Sequence, residues 1–280
     1  MQRLAQLLVL AGFFSAGAFA QDIALRKFET EGFAALNSKE YPRCAAIFSA
    51  AATIYADEPS PAFAAARCHL RVGNTNLAKR WLRRALDRGY RNCANLAREA
   101  ALASVDHASE RCAANAEKFV RESNPELLAA YLGDREDRRG EIADVDAVQR
   151  RDHARQAVVR IAIERKTLRT ADDYLHAALV MHHGSSTAAF ALARDLAKKA
   201  VSLRPWLAEA RWLHATATDR YLQSIGKPQI FGTQYKEVNG RWTLEPFDPT
   251  AVGDAERALW RVHSLGERLK FIDDLNRAQE

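Results

Sequence analysis

GFAALNSKEYPRCAAIFSAA (residues 32–51) and AARCHLRVGNTNLAKRWLRRA (residues 65–85) share one pattern of small and large residues. Positions 34 residues apart carry similar side chains: Gly32 and Ala66, Leu36 and Leu70, Cys44 and Ala78, Phe48 and Leu82, Ala51 and Ala85. Small residues are needed where two helices cross closely, and large residues fill the gaps beside them. A period of this length therefore predicts stacked helix pairs that bury a continuous core.

The two units resemble the tetratricopeptide repeat. The positions that carry the resemblance in the first unit are small Gly32, aromatic Tyr41, small Cys44, large Phe48 and small Ala51. Gly73 fits the turn inside the second unit, because glycine adopts a positive φ at little cost. A further step of 34 residues predicts a third unit that reaches Phe119. This unit is less regular, because Asp106-His107 replaces the turn glycine. The resemblance covers about residues 25–122 and implies a concave face that binds a protein or a peptide.

The four cysteines all lie in this first half: Cys44, Cys68, Cys93 and Cys112. An even number of cysteines in an exported chain indicates disulfides, and the absence of C-x-x-C argues against a zinc knuckle or a thioredoxin-type site. The register of the tetratricopeptide-like units places Cys44 and Cys68 on helices that pack together. It places Cys93 and Cys112 on the two helices of the third unit. The resemblance thus favours Cys44–Cys68 and Cys93–Cys112 over the other two connectivities.

The N-terminus has the pattern of a secretory signal peptide. Arg3 precedes an apolar run over residues 4–19, and Ala18-Phe19-Ala20 is a small-x-small cleavage site. A membrane anchor is the alternative, but the run is short and is interrupted by Gly12, Ser15 and Gly17. We expect residues 1–20 to be a signal peptide, the mature chain to start at Gln21, and the protein to be periplasmic or secreted. No later stretch predicts a stable membrane span.

The chain carries a formal net charge of +6. In a cytosolic protein this charge would suggest nucleic acid, but export makes nucleic acid an unexpected partner. The run KRWLRRALDRGYR, Lys79–Arg91, is the densest basic segment, and its apolar residues keep a helical stripe. It is either a solvated helix face or a contact patch for an acidic envelope component.

The second half of the chain also predicts helices. Asn124-Pro125 marks a helix start, and the charged segment 134–141 is either a linker or an ordered polar loop. Thr170 and Asp173 have the spacing of a capping box that opens the next short helix. In TQYKEVNGRWTLEPF (residues 233–247), Asn239-Gly240 separates two alternating runs, the pattern of a type I′ hairpin. The predicted fold is mainly all-α, with tetratricopeptide-like repeats over 21–122 and a helical domain over 123–280 that carries one small β-hairpin near 234–246.

Three fragments of this second half together resemble an uncharacterised bacterial domain family. They are DDYLHAALVMHHG (residues 172–184), WLHATATDRYL (residues 212–222) and GKPQIFGTQ (residues 226–234). The family pattern is H-G, then D-R, then G-K-P-Q-aromatic-G-T-Q, and this chain has Phe231 where tyrosine is commoner. The acidic and basic residues Asp152 and Arg155 also match the family. The match spans about residues 130–270 and implies no activity.

The polar residues of these fragments are the candidate site. His183 and Asp219 are the candidate catalytic pair, since histidine and aspartate together suit proton transfer. The candidate ligand-binding residues are Arg220, Lys227, Gln229, Thr233, Gln234, Asp152 and Arg155. A buried polar network that holds the loop onto the helices is the structural alternative. For a single site, His183 and Gln229 must lie within one neighbourhood of about 10 Å, the span of a small-ligand pocket.

These patterns favour an exported binding protein. Its repeats would contact a protein or a peptide, and its C-terminal domain would hold a polar or anionic ligand. The alternative is a cell-envelope hydrolase that uses His183 and Asp219. No cofactor-binding motif is present, and no metal site is expected, because His176 and His183 lie two helical turns apart, roughly 10 Å along the helix axis. Whether the protein is an enzyme stays open at this point.

Overall fold

The computed structural model describes residues 28, 31–139, 144–204 and 207–278, so the predicted signal peptide lies outside the described residues. Within these ranges the chain is mainly helical with one small antiparallel hairpin, as predicted. The elements are α1 (31–37), α2 (Tyr41–Ile54), α3 (Pro59–Arg71), α4 (Thr75–Asp87), α5 (Cys93–Ala97), α6 (Ala100–Ala103), α7 (Ala108–Glu122), α8 (Pro125–Asp137), α9 (Val145–Glu164), α10 (Ala171–His182), α11 (Thr187–Leu203), α12 (Ala208–Ser224), β1 (Lys236–Val238), β2 (Arg241–Thr243), α13 (Asp254–Leu259) and α14 (Leu265–Arg277). Among the described helices, none combines the length and the apolar character that crossing a bilayer requires.

The first helices pack like the repeat units that the sequence period predicts. Gly32 lies against Phe48, and a Cβ added at this glycine would come within 2.6 Å of the Phe48 ring. Gly73 turns the chain between α3 and α4 with a φ of 84°. The fully buried small residues of these helices include Cys44, Ala65, Ala66, Ala78 and Ala85. Small and large residues therefore alternate as expected at close helix crossings, while membership of the tetratricopeptide family stays a prediction.

The third unit is less regular than the first two. Its first half is divided between the short helices α5 and α6, and α7 follows as its long helix. Asp106 and His107 connect α6 to α7 with φ values of 49° and 55°. Both residues therefore adopt the left-handed conformation that a turn glycine would take more cheaply.

The cysteines lie in the two predicted pairs. Cys44 and Cys68 connect α2 to α3 with Cα atoms 5.7 Å apart. Cys93 and Cys112 connect α5 to α7, also with Cα atoms 5.7 Å apart. Each disulfide closes a loop of about twenty residues, which contributes roughly 2–4 kcal/mol in the loop-entropy account.

The second half is built around α10, α11 and α12, which pack consecutively against one another, and α10 also packs against α8 and α9. Thr170 and Asp173 form the predicted capping box at the start of α10. Gly184 follows this helix at the point where α11 approaches, and a Cβ added there would lie 2.7 Å from the Cβ of Ala189. The glycine of the H-G pair is therefore required by close packing.

The two halves of the chain meet at the start of α10. Asp172 pairs with Arg91 of the repeat half at 3.2 Å and with Arg204 at 3.1 Å. The neighbouring Asp173 accepts a hydrogen bond from the backbone N–H of Asn124 at 2.9 Å. Polar contacts from both halves thus converge on one helix terminus.

The hairpin has the predicted turn. β1 and β2 pair antiparallel with Glu237 opposite Trp242, and Asn239 and Gly240 have φ values of 51° and 75°. Asn276 of α14 accepts from the Trp242 N–H at 2.7 Å and donates to its carbonyl at 3.1 Å. These two bonds fix the hairpin to the last helix.

Candidate functional site

Asp219 of α12 binds the backbone of the G-K-P-Q loop. Its side chain is fully buried, and its Oδ1 accepts from the N–H groups of Ile230 and Phe231, both at 2.9 Å. Its Oδ2 accepts from the N–H and the hydroxyl of Thr233 at 2.9 and 2.7 Å. Four donors within the chain thus surround this carboxylate, which is the geometry of a structural contact rather than of a catalytic group.

Arg257 of α13 binds the same loop through its carbonyl groups. This guanidinium is fully buried and donates to the carbonyls of Phe231 at 2.5 Å and Ile230 at 3.1 Å. Asp219 and Arg257 therefore bind the N–H groups and the carbonyl groups, respectively, of the same two residues. This role of Arg257 could not be predicted from the sequence, because its partners are backbone carbonyls, which every residue has.

Gln229 connects the two ends of the loop. It is fully buried, accepts from the Gln234 N–H at 3.0 Å, and donates to the carbonyls of Gln234 at 2.7 Å and of Leu244. Gly232 has a φ of 63°, and a Cβ there would lie 3.3 Å from the Phe247 ring. Most of the G-K-P-Q-aromatic-G-T-Q signature therefore holds the loop in place.

Arg220 follows Asp219 in the sequence but lies on a different surface. Its Nη1 donates to the carbonyl of His182 at 2.6 Å, and its Nε donates to Oε1 of Gln234 at 3.3 Å. Burial lowers the pKa of this guanidinium, and the nearby charge of Arg138 acts in the same direction. No carboxylate among the described residues pairs with Arg220, so its charge is not neutralised there by an ion pair.

A groove of about 390 Å³ opens over Arg220. Its wall and floor residues include Phe190, Gln223, Gln234, Tyr235 and Lys236. The Arg220 guanidinium carbon lies 5.3 Å from the centre of the Phe190 ring. The groove thus combines a partly buried cation, the exposed charges of Lys236 and Glu245, amide groups and aromatic rings, a mixture of apolar and polar groups that can hold a small ligand.

His183 pairs with Asp134 and not with Asp219. Its Nδ1 lies 2.9 Å from both carboxylate oxygens of Asp134, whose side chain is only 2% exposed. His183 and Asp219, the predicted catalytic couple, therefore do not bind each other, since the loop occupies both Asp219 oxygens, and a catalytic role for either residue stays a prediction. Asp134 belongs to the charged segment read as a linker or polar loop, whereas in the structure it lies in α8.

Arginines extend this histidine contact into an ion-pair network. Arg138 donates to Asp134 at 2.8 Å and to Asp152 at 2.7 Å. Arg155 donates to Asp152 at 3.1 Å and also to Asp137. Asp152 and Arg155, predicted as ligand-binding residues, are therefore neutralised by each other and by neighbours. Hydrogen bonds from Arg151, and then Arg155, lower the pKa of Asp137 to about 2.

The predicted site residues thus divide into four groups, one of which belongs to the ion-pair network and consists of His183, Asp152 and Arg155. Asp219, Gln229 and Thr233 hold the loop, while Arg220 and Gln234 line the groove. The side chain of Lys227 is exposed and makes no hydrogen bond or ion pair with the described residues. Arg220 joins the end of α10 to the loop through its two hydrogen bonds, but the imidazole of His183 turns away to α8.

Three of the six basic residues in the run Lys79–Arg91 form ion pairs within the chain. Arg83, Arg88 and Arg91 contact Asp106, Asp57 and Asp172, respectively. Lys79 and Arg80 are exposed and have no ion-pair partner among the described residues. The surface available to an acidic partner is therefore smaller than the sequence indicates.

Comparison with models of known protein families finds no match for this chain, and a search of curated proteins finds none either.

Proposed function

We propose that the protein is an exported binding protein whose C-terminal helical region holds an anionic ligand at Arg220. The observation that carries the proposal is a partly buried arginine that lines a groove without a carboxylate partner among the described residues. Its Nη2 has no acceptor in the described residues, so this donor is available to a ligand. Lys236 adds a second positive charge to the groove, and a partly desolvated guanidinium binds carboxylates and phosphates well.

In this proposal the repeats contact a protein or a peptide. An apolar groove of about 500 Å³ on their surface supports this part, and its lining includes Pro42, Ala45, Ala46, Val72, Leu77 and Trp81. Two disulfides support the assignment to the periplasm or the extracellular space, since such bonds persist in oxidising compartments.

Replacing Arg220 with glutamine should weaken anion binding by about 10- to 100-fold, because hydrogen bonds to charged groups contribute about 1.5–3 kcal/mol. Isothermal titration calorimetry with citrate and with inorganic phosphate measures the effect. Lys227→Gln removes an equal charge from the exposed start of the G-K-P-Q loop and should change the affinity less than twofold. Absence of anion binding, or equal affinities in the Arg220→Gln and unaltered proteins, would contradict the proposal.

The contact between His183 and Asp134 favours a hydrolase as the second candidate. A buried carboxylate that binds Nδ1 of a histidine orients the ring and leaves Nε2 for proton transfer. The side chain of His183 is 25% exposed, so solvent reaches this residue.

If the hydrolase candidate is correct, His183→Asn should lower hydrolysis by about 10²- to 10⁴-fold, the usual contribution of a general acid or base. p-Nitrophenyl acetate and p-nitrophenyl phosphate are suitable first substrates. His153→Gln alters an exposed histidine of α9 and should leave the rate unchanged. Hydrolysis that is absent, or equal in both variants, would exclude this candidate and leave the binding proposal unaffected.

A further inference from the structure

Two aromatic side chains flank Arg220 in the groove. Phe190 packs beside the guanidinium from α11, and Tyr235 follows Gln234 at the entrance to the hairpin. Tyr235 is 45% exposed, yet its ring is held edge-on by Trp242 and by Phe271, with each pair of ring centres 5.6 Å apart. A ring that is fixed and still exposed can pack against a ligand with little loss of side-chain entropy.

The polar side chains that line the groove supply both hydrogen-bond donors and acceptors. The side-chain oxygen of Gln234 accepts from Arg220 and its nitrogen donates to Thr233, which fixes its orientation. Gln223 supplies a second amide to the groove, and Glu245 supplies a carboxylate. Oε2 of this carboxylate accepts from the Phe247 N–H at 2.9 Å, so the acceptor is also held in place.

These features narrow the class of ligand. Each sugar hydroxyl group both donates and accepts hydrogen bonds, and amides and carboxylates offer matching partners. The C–H faces of a sugar ring pack on aromatic side chains. An inorganic anion, in contrast, would interact mainly with the Arg220 guanidinium. We propose that the groove binds a carboxylated sugar, with Arg220 on the carboxylate, Tyr235 against the ring, and Gln223 and Glu245 on the hydroxyl groups. This inference rests on the anion-binding function proposed above.

The volume of the groove agrees with such a ligand. At about 390 Å³ it falls near the lower end of the roughly 300–1,000 Å³ range of small-molecule sites. Glu245 would repel a second carboxylate placed beside it but accepts from a hydroxyl group. Each uronic acid residue combines one negative charge with several hydroxyl groups and therefore suits this mixture better than an anion without hydroxyl groups does.

Calorimetric titration with trigalacturonate, maltotriose and citrate tests the inference. Trigalacturonate should bind at least tenfold more tightly than maltotriose, because only the former presents carboxylates to Arg220. Tyr235→Ala should weaken trigalacturonate binding at least fivefold and leave citrate binding unchanged. Trp212→Ala removes an aromatic ring of similar exposure (43%) from α12, outside the groove, and should change neither.

The outcomes separate the sugar inference from the underlying function. If citrate binding depends on Arg220 but trigalacturonate binds no more tightly than citrate and is insensitive to Tyr235→Ala, the sugar inference is overturned and the anion site stands. If Arg220→Gln affects neither ligand, the proposed function fails and the sugar inference fails with it.

Discussion

Replacing Asp219 with alanine is expected to lower the free energy of unfolding by about 3–5 kcal/mol, the range found when one partner of a buried charged contact is removed. Three backbone N–H groups and one hydroxyl group would lose their acceptor inside the protein. The buried Arg257 would also keep its positive charge close to the vacated position. Since whole proteins are stable by about 5–15 kcal/mol, this single change removes a large share of the total.

Urea unfolding followed by circular dichroism measures this loss, and Asp273→Ala is the matched control. Asp273 is an exposed aspartate of α14, so its replacement should cost less than about 0.5 kcal/mol. Asp219→Asn should cost an amount of unfolding free energy between those of the two alanine variants. Its amide keeps one acceptor oxygen but places an N–H donor opposite another donor. A loss below about 1 kcal/mol for Asp219→Ala would show that the carboxylate is not a structural contact and would return it to the list of functional candidates.

Asp219 and its neighbour Arg220 show why the site was only partly predictable from the sequence. The D-R fragment reads as one polar motif, but the helix directs Asp219 into the protein and Arg220 toward a groove. Sequence proximity could not separate a loop contact from a ligand contact, because the partners of Asp219 are backbone amides. The partner of His183 was missed for a related reason: Asp134 lies 49 residues away on another helix.

Local and periodic features were more predictable. The contact of Gly32 with Phe48, the two cysteine pairs and the Asn239-Gly240 turn all depend on spacing or on the conformations that one residue type allows. The division of the third unit into α5 and α6 was not predicted, since the sequence indicated only that its turn lacks glycine. Arg257 lies outside every recognised motif, and only the folded chain brings it to the loop.

Buried histidines make the stability of the C-terminal region depend on pH. Burial lowers the pKa of His176 to about 4, of His182 to about 3 and of His214 to about 4. For His182 the charges of Arg220 and neighbouring residues act in the same direction. Nδ1 of His176 and Nδ1 of His182 are buried without a hydrogen-bond partner among the described residues. These rings are therefore packed in the neutral form, and burial opposes their protonation in the folded protein.

Stability should consequently fall as the pH decreases below about 6.5. In the unfolded chain each imidazole binds a proton near that pH, whereas in the folded chain it does so only near pH 3–4, so protons favour unfolding. Between pH 6.5 and 5 each of these three histidines costs up to about 2 kcal/mol, and the three together cost up to about 6 kcal/mol. This window lies above the usual pKa of the carboxylates, so acid-labile ion pairs such as those of Asp137 contribute only at lower pH.

Urea unfolding at pH 7.5, 6.0 and 5.0 should show this decline, and His176→Phe should reduce it by about one proton's share, about 2 kcal/mol between pH 6.5 and 5. His176 stacks on Tyr131 with ring centres 4.0 Å apart and meets Phe119 edge-on, so a phenyl ring keeps the packing and removes the titration. His153→Gln alters an exposed histidine and should leave the decline unchanged. Equal pH dependence in the His176→Phe and unaltered proteins would mean that this imidazole is protonated in the folded state, and that burial does not exclude its charge.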